Sequence, residues 1–299
     1  MSQTRRRFLT ILAAATAAGV ALPAQAHAVW TGHALGAEAR LVLQGPADQT
    51  AAVMAEVQGV LRHVEAQFNL FDDASALSRL NRTGHLADPH PDFIRLLALC
   101  DRLHRATGGL FDPTVQPLWR ALAEGRPTAP VQALVDWTGV QQGPSAITLQ
   151  PDQQLTLNGI AQGLATDLVA DVLRRHGMAR GLVQVGELAA RGGPWRIGVE
   201  DPTLGPVLTR RLTDGAMATS SPDAMRLGSR GHILGPQGQP ALWSTVSVEA
   251  ETATLADGMS TALCFVPARA LREMAAQLRR DLGLRQIIAI SPDSDIRTF

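Results

Sequence analysis

The 299 residues carry 27 basic and 27 acidic side chains, with 45% hydrophobic and 18% charged residues, an ordinary globular balance with no net charge. That balance excludes a nucleic-acid binder working through a broad basic face. Every Lys/Arg-class residue is arginine and tyrosine is absent, which removes P-loop lysines, Schiff-base lysines and tyrosine acids.

The N-terminus reads TRRRFL from Thr4 to Leu9, then an alanine-rich apolar run from Ile11 to Leu22, then PAQAHA. A basic segment, a short apolar segment and an A-x-A site predict a signal peptide over residues 1–28, cleaved near Ala26 or Ala28. Arg5, Arg6 and Arg7 ahead of Phe8 and Leu9 predict the twin-arginine route and a periplasmic destination. The apolar run is short for a bilayer span, so no stable membrane span is expected after cleavage. The remainder, 29–299, is read as one domain, with two subdomains as an option.

In the mature chain, Glu38 to Leu43 reads as a strand, and Thr50 to Phe68 has apolar residues at helical spacing. Phe71 to Asn81 reads as a polar loop, and Phe93 to Thr107 as a helix ended by Gly108 and Gly109. Gly125 to Pro144 is rich in Pro and Gly and predicts a surface excursion. Ile147 to Leu157 predicts two short strands around Pro151 and Asp152. Gly163 to His176 predicts a helix closed by Gly177. Strands follow at Leu182 to Val185, Trp195 to Val199, Arg210 to Leu212, Ala216 to Thr219 and Thr245 to Val248. Helices at Thr254 to Cys264 and Ala268 to Leu282 precede a last strand at Gln286 to Ile290. Strands outnumber βαβ units, so the fold class is α+β, with mainly antiparallel sheets and packed helices. Cys100 and Cys264 lie in apolar helical stretches and read as two buried thiols, with a disulfide as the alternative.

Three segments carry candidate chemistry. In TLNGIAQGLATD (Thr156 to Asp167), Gly159 and Gly163 sit where an extended segment enters a helix. Such a spacing serves either a phosphate at free helix amides or close helix packing. In TATLADGMSTAL (Thr252 to Leu263), Asp257 and Thr261 share a helix face and offer oxygens to a hard cation such as Mg²⁺; an aspartate cap and a back-bonded threonine are the alternative. In SRGHILGP (Ser229 to Pro236), His232 lies between glycine turns, as either a general base or a structural histidine. His85 and His90 flank a loop and read as solvated.

Together with FNLFDDASALSRLN (Phe68 to Asn81) and TGGLFDPTVQPL (Thr107 to Leu118), these segments resemble, in order, the signatures of the ApbE family of FAD:protein FMN transferases. L-N-G-I-A-Q-G and A-D-x-x-S-T-A are most similar to the NosX branch, which serves the flavoprotein NosR of nitrous oxide reduction. The resemblance implies an ApbE-like, T-fold-related architecture and Mg²⁺-dependent transfer of FMN from FAD to a Thr/Ser hydroxyl of a partner flavoprotein. It implies that Asp257 and Thr261 hold Mg²⁺ by side chains, with backbone carbonyls near Gly159 and Ser260. It places Leu110, Phe111 and Asp112 along the FAD site, Phe71 in a stacking position and His232 as the catalytic histidine. Thr156, Gln162 and Gly235 depart from the family pattern: Thr156 replaces an aspartate that contacts the nucleotide, Gln162 replaces a charged residue near the cofactor, and Gly235 replaces the aspartate of H-I-I-D-P. An FAD pyrophosphatase and a non-catalytic FAD-holding assembly factor are therefore alternative outcomes.

Overall fold

The computed structural model describes residues 28–44 and 47–299, so the segment expected to be a signal peptide, with its arginines, lies outside the described residues. The chain opens with strands β1 (Ala28–Ala34) and β2 (Ala37–Gln44) and helices α1 (Ala47–Phe68) and α2 (Ala76–Thr83). Strand β3 (His85–Ala87), helices α3 (Pro91–Ala106) and α4 (Gln116–Ala123), and strands β4 (Gln141–Gln142) and β5 (Ala146–Thr148) follow. Helix α5 (Ala161–Arg175) leads into β6 (Arg180–Val185), β7 (Glu187–Arg191), β8 (Trp195–Asp201), β9 (Gly205–Leu212) and β10 (Gly215–Ser220). Two-residue strands β11 (Arg226–Leu227) and β12 (Arg230–Gly231) precede β13 (Thr245–Ala250), α6 (Ala253–Leu263), α7 (Ala268–Leu282), β14 (Leu284–Ile290) and β15 (Ile296–Thr298).

Eight strands form the main sheet in the order β1-β2-β6-β7-β10-β13-β14-β15, with every neighbouring pair antiparallel. Period-2 alternation divides its side chains between two faces. Leu41, Leu43, Val183, Val185, Ala218, Val248 and Ile287 pack with α1, α3, α5 and α6 in the larger core. Val42, Leu182, Leu188, Met217, Ile288 and Ile290 face the other way, onto Trp195, Ile197, Val199 and Leu212 of the β8–β9 ribbon. The result is a three-layer mixed α+β fold, the class expected from the strand count. Among the described residues no helix is long and apolar enough to cross a membrane.

Several local expectations change. The polar loop from Phe71 contains α2, two turns whose Ser75 Oγ accepts the Ser78 amide at 3.1 Å and whose Leu77 and Leu80 are buried. Ile147 to Leu157 holds one strand instead of two. The Leu155 amide and carbonyl pair with the Asn81 side chain, at 2.7 and 2.8 Å, in place of a neighbouring strand. Within the excursion from Gly125, Trp137 is buried, so that segment is anchored to the core. Gly177 closes α5 as expected: its amide bonds Arg174 O and that of Met178 bonds Leu173 O, a Schellman pattern with Gly177 at φ 66°. Cys100 and Cys264 are both free and buried.

Candidate active site

The site is built where α5 meets α6. Asp167, near the middle of α5, accepts the Ala253 amide at 2.7 Å and the Thr254 amide at 2.8 Å, and the Thr254 hydroxyl at 2.5 Å. It thereby satisfies amides at the start of α6 that the helix itself leaves unpaired, alongside the Thr252 N-cap. At Gly163 a Cβ would lie 2.4 Å from Ala253 O, so only glycine lets the two backbones meet here. One turn into α6, the Asp257 carboxylate accepts the Gly163 amide at 3.0 Å. The Ala161 and Leu164 amides are taken by Leu157 O and Ile160 O. The spacing of Gly159 and Gly163 therefore serves close packing and the orientation of Asp257; the reading of free helix amides awaiting a phosphate does not hold for these three positions. Asp257 is also not the cap of α6, since Thr252 is.

Around Asp257 the donors are all oxygens. Gly159 lies against Thr261: a Cβ there would be 2.8 Å from the Thr261 hydroxyl, so the glycine brings its backbone up to that oxygen. Thr261 Oγ1 lies 3.4 Å from Ser220 Oγ, which in turn is 2.8 Å from Ser260 Oγ. Ser260 donates to Asp257 O at 2.9 Å, its carbonyl accepts the Cys264 thiol at 3.2 Å, and it stands behind the cleft wall rather than in its lining. On β7, Glu187 accepts the Thr219 amide at 3.2 Å. Burial pushes the Asp257 carboxyl up to about 7, and the nearby Asp167 charge adds to this against the Gly163 hydrogen bond. Burial also raises Glu187 well above the usual carboxylate range, and Asp257 raises it further. Two desolvated carboxylates beside a hydroxyl match the donor chemistry of a hard dication, whose charge would relieve their repulsion.

These groups open into one cleft of about 600 Å³, lined by residues from both ends of the chain. Phe71 lies on its exposed side, 51% accessible, with its amide bonded to Asn69 Oδ1 at 2.8 Å. Leu110, Phe111 and Asp112 line it as well. Asp112 Oδ1 caps the short helical turn Pro113–Val115, accepting the Thr114 amide at 2.8 Å and its hydroxyl at 2.5 Å, and burial raises the carboxyl. The Thr156 amide bonds Pro113 O at 2.8 Å and its hydroxyl accepts the Asn158 amide at 3.3 Å, so two wall segments are tied together. Gln162 lines the cleft and packs over Gly186. At Gly235 the space beyond Cα is filled by the Gln239 side chain, 2.5 Å from an ideal Cβ, so no aspartate fits there as the loop stands.

His232 also lines the cleft. Its amide bonds Pro222 O and Met225 O at 3.0 Å, and its ring Nδ1 lies 2.9 Å from Pro222 O. A carbonyl accepts only, so Nδ1 carries the proton and Nε2 keeps its lone pair. The Trp119 indole donates to His232 O at 3.1 Å and steadies the loop. Burial lowers the imidazole's pKa, partly offset by the Pro222 bond, which favours a neutral ring at pH 7.

Residues 35–284 match the model of the ApbE family. The chain belongs to that family. It is 29% identical over 244 residues to the FAD:protein FMN transferase of Haemophilus influenzae, covering 70% of each chain. It is 27% identical to the enzyme of that name from Klebsiella pneumoniae, over 93% of this chain and 89% of the relative. The fold matches the flavin transferase ApbE from Vibrio cholerae with a TM-score of 0.78 at 24% identity, over 91% of this chain and 96% of the other.

Within the ApbE framework, the one cleft gathers Phe71, Leu110, Phe111, Asp112, Thr156, Gly159, Gln162, His232, Asp257 and Thr261, while Ser260 is set back. Glu187 and Asp167 were not expected from the sequence. Glu187 sits in a short strand of weak β-formers, and Asp167 is the last letter of a motif whose reach to α6 becomes visible only in three dimensions.

Proposed function

We propose that this ApbE-family protein is a periplasmic, Mg²⁺-dependent FAD:protein FMN transferase. Its acceptor is a Thr or Ser hydroxyl of an exported flavoprotein, a NosR-like one in nitrous oxide reduction. The observation that carries the reading is the single cleft that is lined by a neutral, oriented imidazole, an oxygen-only carboxylate–hydroxyl cluster and the exposed Phe71. The named relatives support the transfer reaction, and the short strings LNGIAQG and ADGMSTA support the NosX-type setting.

The Phe71 face would stack on a flavin or adenine ring, and Leu110 and Phe111 would shield the nucleotide from water. The acceptor hydroxyl oxygen attacks the FMN phosphorus of FAD; the new P–O bond forms as the bond to the AMP oxygen breaks. His232 Nε2 takes the hydroxyl proton, while the Pro222 carbonyl on Nδ1 holds the tautomer and steadies the imidazolium. Mg²⁺ bound by Asp257, Thr261 and the Gly159 carbonyl would neutralise charge on the pyrophosphate oxygens. With a dication bound, Glu187 would give up its proton and add negative charge to that pocket, which strengthens its preference for a dication.

The test is incubation with FAD, Mg²⁺ and a NosR-like acceptor domain, followed by intact mass measurement of the acceptor. A gain of one FMN less water is the expected result. Free FMN and AMP with an unlabelled acceptor would identify hydrolysis instead, and bound FAD without turnover would identify a holding protein.

A further inference from the structure

Outside the cleft, one group of side chains converges as metal ligands do. His63 on α1 and His90 and Asp92 at the start of α3 bring one ligand atom each to within 4.8 Å of the others. His63 Nε2 is 2.9 Å and His90 Nδ1 3.3 Å from the same carboxylate oxygen, Asp92 Oδ2. Ligands bound tetrahedrally at 2.0–2.1 Å stand about 3.3 Å apart, so these separations already approach those of a filled site. The other oxygen, Oδ1, is held by Arg95, which leaves Oδ2 facing the imidazoles. Such an outer partner is what orients a ligating carboxylate. The rings lie 4.3 Å apart, tilted by 59°, and both histidines are partly open to solvent, so an ion has an entry path. None of the three residues lines the cleft.

The geometry points to a second, separate metal site here: a two-histidine, one-carboxylate site for Zn²⁺ or a similar borderline ion, with an open fourth position for water. Imidazole nitrogens with one carboxylate suit Zn²⁺ rather than Mg²⁺, which prefers oxygens. In the ion's absence His90 Nδ1 accepts the Asp92 amide at 3.1 Å as the N-cap of α3, and binding exchanges that bond for a metal bond. The ion joins α1 to α3 alongside the Phe68–Phe93 ring contact at 5.1 Å. Both helices run on to cleft walls, α1 toward Phe71 and α3 toward Leu110–Asp112, so the site braces the two segments that carry the cleft's apolar side.

The experiment is Zn²⁺ titration of the mature protein by competition with a chromophoric chelator, in excess Mg²⁺ to occupy the oxygen cluster, with thermal melts in parallel. Two variants preserve the local hydrogen bonds while removing ligands: His63→Gln keeps a donor toward Asp92, and His90→Ser keeps an N-cap oxygen. The expected result is one Zn²⁺ per chain, at least tenfold weaker binding in each variant, and a Zn²⁺-induced rise in melting temperature confined to the parent, with metal-free melting unchanged. Parent protein that takes up no Zn²⁺ at tens of micromolar, or variants that bind it as the parent does, would overturn the site. Because the readouts are stoichiometry and melting, the result is independent of whether FMN is transferred.

Discussion

Replacing Asp257 by asparagine should stabilise the metal-free protein and abolish its response to Mg²⁺. Asp257 is 3% exposed, and its carboxyl is pushed up to about 7 by burial, from an ordinary value near 3.8. Its folded pKa lies above the unfolded one, so the folded state binds the proton more tightly. The penalty for the charged form is therefore absent below pH ~4 and grows by ~1.4 kcal/mol per pH unit up to the folded pKa. Above that it stays constant, at about 4 kcal/mol, set chiefly by burial with the nearby Asp167 charge adding to it. Asparagine is uncharged, can still accept the Gly163 amide and removes the like charge that Glu187 faces. In a chelator at pH 8, Asp257→Asn should melt several degrees above the parent, at about 2–4 °C per kcal/mol, and the two should converge toward pH 4. Millimolar Mg²⁺ should raise the parent's melting temperature and leave the variant's where it was, and transfer to an acceptor should vanish. Differential scanning calorimetry with and without Mg²⁺ makes the measurement. A variant less stable than the parent at pH 8, or one with an undiminished Mg²⁺ shift, would refute the reasoning that a dication offsets a desolvated carboxylate pair.

His232→Ala should slow single-turnover transfer by roughly 10²–10⁴ while FAD titration stays near the parent's and melting falls only slightly, since Nε2 makes no structural bond among those described and Pro222 O keeps the residue-232 amide when the ring is lost. The parent's rate should fall on acidification with a midpoint below the ordinary histidine value of ~6.5, because burial lowers the imidazole's pKa and only the neutral ring accepts a proton; a midpoint above 7 would assign the base elsewhere. Gly159→Ala should place a methyl 2.8 Å from Thr261 Oγ1 and weaken Mg²⁺ activation at least tenfold with a modest loss of stability, and unchanged Mg²⁺ dependence would remove Gly159 from the cation site. Replacing Arg5, Arg6 and Arg7 by lysine should keep the protein out of the periplasm on cell fractionation; undiminished export would exclude the twin-arginine route.

The helices and central strands were readable because their burial is periodic. Val53, Val57, Val60, Leu61, Val64 and Phe68 repeat at helical spacing, and all but the half-buried Val60 are fully buried on α1. The elements that were missed lack such a signal. β7 reads ELAAR, with small residues of weak strand preference, and it exists because β6 and β10 offer partners on both sides. α2 has only two turns, and its apolar face is three residues. Leu155 imitates a strand through the Asn81 amide, a pairing set by a residue 74 positions away that no local pattern announces.

The site was legible in residue type but not in purpose. Asp257 and Thr261 share a helix face, and that face lines the cleft. The glycine motif fits a phosphate cradle by sequence, yet the Gly163 amide already serves the Asp257 carboxylate. Asp167 then explains why the motif extends a full turn past its glycines: by capping α6 it fixes the axial position of Asp257 relative to Gly163. Two segments about 90 residues apart thus form one device, each supplying a carboxylate to the other helix's amides. Removing the Asp167 end should shift Asp257 without touching it. Asp167→Asn keeps an acceptor for one amide but turns an NH₂ toward the Thr254 amide and hydroxyl. Burial already raises the Asp167 carboxyl, so the loss comes from the broken hydrogen bonds rather than from the charge. The substitution should cost about 1–3 kcal/mol in stability and raise the Mg²⁺ concentration needed for half-maximal melting shift. Asp257→Asn, by contrast, should raise metal-free stability. Opposite signs for two buried aspartates on packed helices would separate the one that holds the scaffold from the one that waits for a cation, and equal signs would show that both are structural.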